Sequence, residues 1–420
     1  MKTDIKIDFV ALPITGHLYP QLQLAKYAQS QGIEHVRIFS CPTMRHAVES
    51  SGVVFQSVLT DREDEVLDIA AQHEQIMDSF TELISIVDRA LGVQEQFENE
   101  LRDFWKANPP DLAVIDFLAP FIGVVADELG IPWWTAITSP TLIETKEGTP
   151  SYLGGLEPPK TFIGKWRDAL GRMFVRLFKR FAFFLFRKKL QPLGFTSVYR
   201  EDGTERMYSN EVILGLGIAE IEFDDKYLPK AWRWIGPCLE RPILEHTTPQ
   251  YEPDKKHILV APGTQVRWVK ERAENIVREV AKFLPDCIFH FVLDDHKLKE
   301  PQKEGNVHLY GYIPFTPESF RNYDVIVNMG GIGVMNTAIA AGVPQLAIPQ
   351  GFEQFDCAAR IFVSGVGLRS HGTPETIVAE IKKLLENDWY RRQVNEYRLI
   401  AERYNPGRSF VELVQQKFAK

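Results

Sequence analysis

Three places along the 420-residue chain set reactive side chains beside chain-turning residues. The first is Pro13-Ile-Thr-Gly16-His17-Leu-Tyr-Pro20, which follows the apolar run at 5–12. A neutral imidazole there can take a proton from a hydroxyl, because its unperturbed pKa lies near neutrality. The second is Asp116, which ends the run Leu112-Ala-Val-Ile115. A carboxylate facing such a histidine fixes its tautomer and stabilises the imidazolium that forms. The third is Met329-Gly330-Gly331-Ile332-Gly333, between the apolar run 324–328 and a helical stretch. Glycines at such a turn let a diphosphate reach the backbone, and the amides and dipole of the helix N-terminus hold its charge. Further on, Glu353-Gln354 pairs a carboxylate with an amide, which suits the paired hydroxyls of a sugar. Plainer roles exist for each: His17 and Asp116 as caps, the glycines as tight packing, and Glu353 as a helix N-terminal acid.

These residues need elements to hold them. Short apolar runs alternate with longer amphipathic stretches, the pattern of β-α units around a parallel sheet. In the first half, strands are predicted at 5–12, 35–40, 53–58, 112–116 and 133–137. Helices are predicted from Pro20 to Ser30, over most of 62–106 and at 120–129. His17 is therefore expected on a loop, with Pro20 in the first turn of the helix that follows. The second half repeats the pattern, with strands at 257–261, 288–293, 308–310, 325–328 and 345–348. The stretch between the halves is proline-rich and polar and reads as a linker. The expected architecture is α/β, with two doubly wound parallel-sheet domains facing a central cleft. The boundaries are 1–237, a linker at 238–256, 257–405, and a helix at 406–420 that returns to the first domain. Open sheets of this kind bind ligands at the carboxyl ends of their strands.

Composition narrows the field. A net charge of −8 argues against a general nucleic-acid binder, which needs a basic phosphate track. Cys41, Cys238, Cys287 and Cys357 are far apart, and none forms a zinc-type pair. Asp294-Asp295 and Asp224-Asp225 read as turns rather than metal ligands. His290, inside an apolar run, reads as a core residue. The start of the chain has Asp4 and a short apolar run unlike a secretory leader, and no stretch reaches the roughly 18 apolar residues of a membrane span. A cytoplasmic protein is expected.

Taken together, these segments resemble the family 1 glycosyltransferases, which have the GT-B fold and use nucleotide-diphosphate sugars. Gly16-His17-Leu-Tyr-Pro20 is similar to that family's G-H-x-x-P loop. The segment 111–132 resembles the one carrying its dyad aspartate, and Val260-Ala-Pro-Gly263-Thr264 the loop that opens its donor domain. From Tyr310 to Leu368 the chain tracks the family's donor signature, including Gly330-Gly331, Gly342-Val343-Pro344, Glu353-Gln354 and Gly365-Val366-Gly367.

The resemblance implies an inverting, metal-independent hexosyltransferase with a UDP- or dTDP-linked sugar as co-substrate. His17 would be the base, oriented by Asp116. Gly263, Thr264, Gly330, Gly331 and Gly333 would cradle the diphosphate, Tyr312 would stand beside the nucleotide base, and Glu353 and Gln354 would grip the sugar. The acceptor is expected to be a hydrophobic hydroxylated small molecule or lipid. Three positions depart from the family: Met329 replaces a histidine and Val334 a hydroxyl that contact phosphate, and Thr337 replaces an acid that binds ribose. A non-catalytic GT-B-like binding or partner protein with a degraded donor site is the alternative these departures raise.

The segment 160–189 carries ten Lys or Arg against the single acid Asp168, with eight aromatic residues. Phe174, Leu177, Phe178, Phe181 and Leu185 share one helical face, and Arg176, Lys179, Arg180 and Arg187 fall largely opposite. Two readings are open: the apolar face packs on the domain core, or it makes peripheral contact with an anionic membrane surface.

Overall fold

The computed structural model describes residues 5–71, 80–138, 143–223, 225–241, 248–263, 267–295, 297–351 and 353–419. Among these residues the strands form two seven-stranded sheets. The first contains β1 (Lys6–Val10), β2 (His35–Ser40), β3 (Val54–Ser57), β4 (Leu112–Asp116), β5 (Trp133–Ile137), β6 (Ile213–Gly215) and β7 (Trp232–Trp234). Their spatial order is β3-β2-β1-β4-β5-β6-β7, and every pairing is parallel.

The second sheet contains β8 (Lys256–Ala261), β9 (Cys287–Val292), β10 (Gln302–Glu304), β11 (Val307–Tyr310), β12 (Val325–Asn328), β13 (Gln345–Ala347) and β14 (Gly367–Arg369). The order is β10-β11-β9-β8-β12-β13-β14, parallel except for the edge pair β10–β11. The short strands β6, β7, β10 and β14 were not legible as strands in the sequence.

Central parallel strands are covered on both faces, so β4, β5 and β9 are buried along their whole length. Alternate residues feed opposite layers. Ile7 and Phe9 join one cluster with helix Thr15–Ser30, while Val10 joins another with Phe97, Leu101 and Trp105. Helix Pro406–Phe418 crosses to the first domain, where Phe410, Val411 and Val414 enter the cluster beside Thr15–Ser30. His290 lies fully buried in β9, its ring stacked between Tyr251 and Tyr310. Burial holds its pKa down at about 3. The four cysteines are free and buried.

The structure corrects two expectations. The first helix begins at Thr15, not Pro20, so His17 stands in its first turn and Pro20 lies within. The missing N–H of Pro20 leaves the Gly16 carbonyl without its intrahelical donor, and Gly16 is exposed to water. The stretch at 62–106 is helical over Glu63–Ala71 and Phe80–Ala107, as expected, with 72–79 outside the described residues. Finally, helix Phe162–Leu190 does not pack its apolar face on the core: Phe174, Leu177, Phe178 and Phe181 are all more than half exposed. Among the described residues no helix is long and apolar enough to cross a membrane.

Candidate active site

In a doubly wound sheet the strand order reverses at one point, and the loops on either side part to leave a crevice. In the first sheet that point lies between β1 and β4. His17 follows β1 and Asp116 ends β4, so topology brings two residues 99 positions apart to one edge. The His17 Nδ1 lies 3.2 Å from both Oδ1 and Oδ2 of Asp116. Asp116 is itself held: the Leu118 N–H donates to Oδ1 at 2.9 Å and the Gln21 amide to Oδ2 at 3.4 Å. The Phe117 ring stands 5.0 Å from the imidazole. His17 keeps 17% of its side chain exposed, against 3% for Asp116. With Nδ1 turned to the carboxylate, Nε2 is the nitrogen left for chemistry. Burial pulls the His17 pKa down, but the Asp116 charge and hydrogen bond, helped by Glu353, outweigh it and leave it raised above 6.5.

The second sheet reverses between β8 and β12, and the glycine turn follows β12. Gly330 adopts φ +81°, and a Cβ there would stand 2.5 Å from the Gln354 carbonyl oxygen. Its N–H donates to Asn328 Oδ1 at 2.7 Å, while the Asn328 amide donates to Gln345 Oε1 at 3.1 Å. The Gln345 amide in turn donates to the Met335 carbonyl at 3.1 Å. This buried relay, absent from the reading of the sequence, shapes the turn and uses up the Gly330 amide. Gly331 is the N-cap of helix Ile332–Ala341, with φ −68° and no side chain capping it. The first-turn amides of Ile332, Gly333 and Val334 have no intrahelical acceptor and point out of the helix end.

The departures at 329, 334 and 337 are physical. The Met329 sulfur lies against Gly263, 3.6 Å from where a Cβ would stand. Val334 packs on the core, and the Thr337 hydroxyl donates to the Gly333 carbonyl at 2.7 Å. None of the three offers a free polar group. Glu353 precedes helix Gln354–Ser364 and is near enough to act electrostatically on His17. Gln354 is committed elsewhere: its Oε1 accepts from the Gln350 N–H at 2.9 Å and the Gly351 N–H at 3.3 Å. Only its amide nitrogen remains for a ligand. Thr264 lies outside the described residues.

Arg241 is the residue that the sequence reading missed. It sits in the proline-rich stretch between the domains, where no periodicity marks it. Its guanidinium lies 3.5 Å from the position of a Cβ on Gly333 and 6.0 Å from the Tyr19 ring, two residues beyond His17. Its hydrogen bonds go to the carbonyls of Cys238 and Glu240, and among the described residues no carboxylate lies within ion-pairing distance. Tyr312 shares this neighbourhood, with burial pushing its hydroxyl up to about 12 and Tyr19 and Arg241 acting on it electrostatically. Arg241 thus bridges the two halves of the cleft and brings positive charge to the bare helix end.

The N-terminal domain also reaches over the far side of the cleft. The Tyr152 N–H donates to Asp356 Oδ2 at 2.9 Å and Arg369 donates to the Gly155 carbonyl at 2.8 Å. Among the described residues no group of three or more His, Cys, Asp or Glu is placed to hold a metal ion.

Residues 274–406 match the C-terminal domain of the erythromycin biosynthesis protein CIII-like family. The chain is 23% identical to 4'-demethylrebeccamycin synthase of Lentzea aerocolonigenes over 373 residues, 85% of each chain. Its fold is similar to that of the glycosyltransferase of kitacinnamycin (TM-score 0.75, 20% identity, 98% of this chain and 99% of that one). It is also similar to a spinosyn rhamnosyltransferase complexed with thymidine diphosphate (TM-score 0.65, 16% identity, 98% and 100%). Both are two-domain GT-B glycosyltransferases. Its paired parallel sheets give the chain the GT-B fold, and its sequence relatives and the matched C-terminal segment are those of glycosyltransferases.

Proposed function

We propose that the enzyme transfers a hexose from a UDP- or dTDP-linked donor to a hydroxyl of a hydrophobic acceptor in one inverting displacement. The observation that carries this is the shared cleft: the His17–Asp116 pair of one domain and the open helix end and Glu353 of the other, with Arg241 from the stretch between them reaching both Tyr19 and Gly333. The acceptor hydroxyl gives its proton to His17 Nε2 while its oxygen attacks the anomeric carbon. The bond from that carbon to the phosphate oxygen breaks, and its electron pair leaves with the diphosphate. In this reading Arg241 and the amides of Ile332, Gly333 and Val334 receive that charge, in the role taken elsewhere by side chains at 329 and 334. A nucleotide with two phosphates is supported by the thymidine diphosphate bound in the structural relative. Tyr312 lies beside the nucleotide base, and Glu353 with the Gln354 amide holds the sugar hydroxyls.

Two neighbouring alanine variants test the donor half. A Cβ at Gly331 meets nothing within 4 Å and the backbone there is ordinary, so Gly331→Ala keeps the wild-type Tm. At the N-cap, its added methyl group would crowd an anion held by the amides of the turn that follows. UDP and dTDP should bind about tenfold more weakly, the cost of one charge-assisted hydrogen bond. Gly330→Ala behaves oppositely, losing about 2 kcal/mol or more of stability to its positive φ and the Gln354 carbonyl. Calorimetric titration beside thermal denaturation reads both. Undiminished nucleotide binding in Gly331→Ala removes the diphosphate from this turn. Wild-type enzyme should gain about 2.7 kcal/mol of stability at a hundredfold excess over Kd.

A further inference from the structure

Helix Phe162–Leu190 is inside out. Of its 29 residues only Asp168 is buried, and its basic residues Arg172, Arg176 and Lys179, not its aromatic ones, turn toward the protein. Arg176 bonds Glu144 at 3.1 Å, Lys179 bonds Glu205 at 2.5 Å, and Arg172 donates to the Gly148 carbonyl. The opposite face carries eleven of the nineteen exposed large apolar side chains among the described residues. Phe162 and Ile163 are 74% and 80% exposed, and Trp166, Phe174, Phe178 and Phe184 lie between 58% and 60%. The helix cannot roll to hide them. Rolling would strip Glu144 and Glu205, whose side chains are 7% and 2% exposed, of their cations and leave buried carboxylates unpaired.

A stripe of this size on one helix marks an interaction surface, and its charge selects the occupant. The exposed charged residues along and beside the stripe are Lys165, Arg167, Arg180, Lys188 and Lys189, of which Arg167 pairs with Asp168 and Lys189 with Asp88. The one acid of the helix, Asp168, is turned inward against Arg167. A protein of net charge −8 therefore presents a positive, aromatic ridge here, and among the described residues along no other helix. At 1.5 Å per residue the ridge runs about 43 Å. Against a second copy of itself such a ridge would set like charges face to face. Against an anionic bilayer, the lysines meet lipid phosphates while the aromatic rings enter the acyl boundary.

We propose that this face docks the enzyme flat on an anionic membrane surface. The inference stands apart from the donor site, none of whose residues lies on the helix.

The test is sedimentation of the full chain with phosphatidylcholine vesicles, with and without phosphatidylglycerol, at low and high salt. Binding should require phosphatidylglycerol and weaken with salt. The triple variant Phe174→Glu/Phe178→Glu/Phe181→Glu, exposed in each position and so able to fold, should lose binding at least about tenfold with unchanged Tm and nucleotide affinity. Lys165→Glu/Lys188→Glu should lose about tenfold and with it most of the salt dependence. Light scattering without vesicles accompanies both. Failure to bind anionic vesicles, or binding that the triple variant retains, overturns the proposal. So does a dimer abolished by the same substitutions in the absence of vesicle binding, which would assign the ridge to a second copy.

Discussion

Replacing His17 with alanine lowers the transfer rate by about 10²–10⁴-fold, the span that positioned general bases contribute, while UDP or dTDP affinity stays as it was. The separation follows from geometry. His17 belongs to the first domain and touches Asp116 and Phe117, whereas the helix end proposed to hold the diphosphate belongs to the second. Asp116→Asn should fall short of wild type by a similar order, because the amide can present either end to Nδ1 and no longer stabilises an imidazolium. Transfer that survives in His17→Ala within a few-fold of wild type would show that some other group takes the proton.

The pH profile gives a second reading of the same pair. A base works when neutral, so kcat/KM rises with pH and levels off above the His17 pKa of the free enzyme. That pKa is raised: burial alone would lower it, but Asp116, and Glu353 across the cleft, favour the imidazolium more. The rising limb should therefore sit above the usual histidine position near 6.5. In Asp116→Asn the larger raising influence is gone while burial and only Glu353 remain, so the limb moves to lower pH even as the plateau drops. A limb that holds its place in that variant would mean that a different group titrates.

What could be read from the sequence was what periodicity and strand ends encode. Continuous apolar runs such as Leu112–Asp116 and Trp133–Ile137 announce buried parallel strands, and residues at their carboxyl ends share an edge. His17 and Asp116 became a candidate pair on that ground, together with the resemblance of the segments that carry them to family 1 glycosyltransferases. The start of the first helix was misplaced because a proline favours a first turn, yet Ile14 accepts from both His17 and Leu18 and begins the helix a turn earlier. Periodicity also gave helix 162–190 its two faces without saying which one points inward. That choice is made by Glu144 and Glu205, which lie up to 32 residues away and become partners only through the fold. Asn328 and Gln345 were invisible for the same reason: a relay between neighbouring strands leaves no local signature.

Arg241→Ala weakens nucleotide-diphosphate binding by roughly 10–150-fold, the worth of a hydrogen bond to a charged group, and lowers kcat as well. The second effect is expected because the leaving diphosphate gains charge as the sugar bond breaks, so a cation there helps the transition state more than the ground state. The sequence made donor binding look impaired, with Met329, Val334 and Thr337 in place of polar contacts. Arg241 answers that deficit from a different part of the chain, standing 3.5 Å from a Gly333 Cβ position with no carboxylate to neutralise it among the described residues. A packing role against Tyr19 predicts something else: Tm would fall and nucleotide affinity would not. Arg241→Lys separates the two, since it keeps the charge but gives up the planar fork, and should recover binding only in part. Met329→His on the Arg241→Ala background supplies a new donor at the neighbouring turn residue and should restore several-fold of the lost affinity. If Arg241→Ala binds UDP and dTDP as wild type does, the amides alone hold the diphosphate and the compensation is absent.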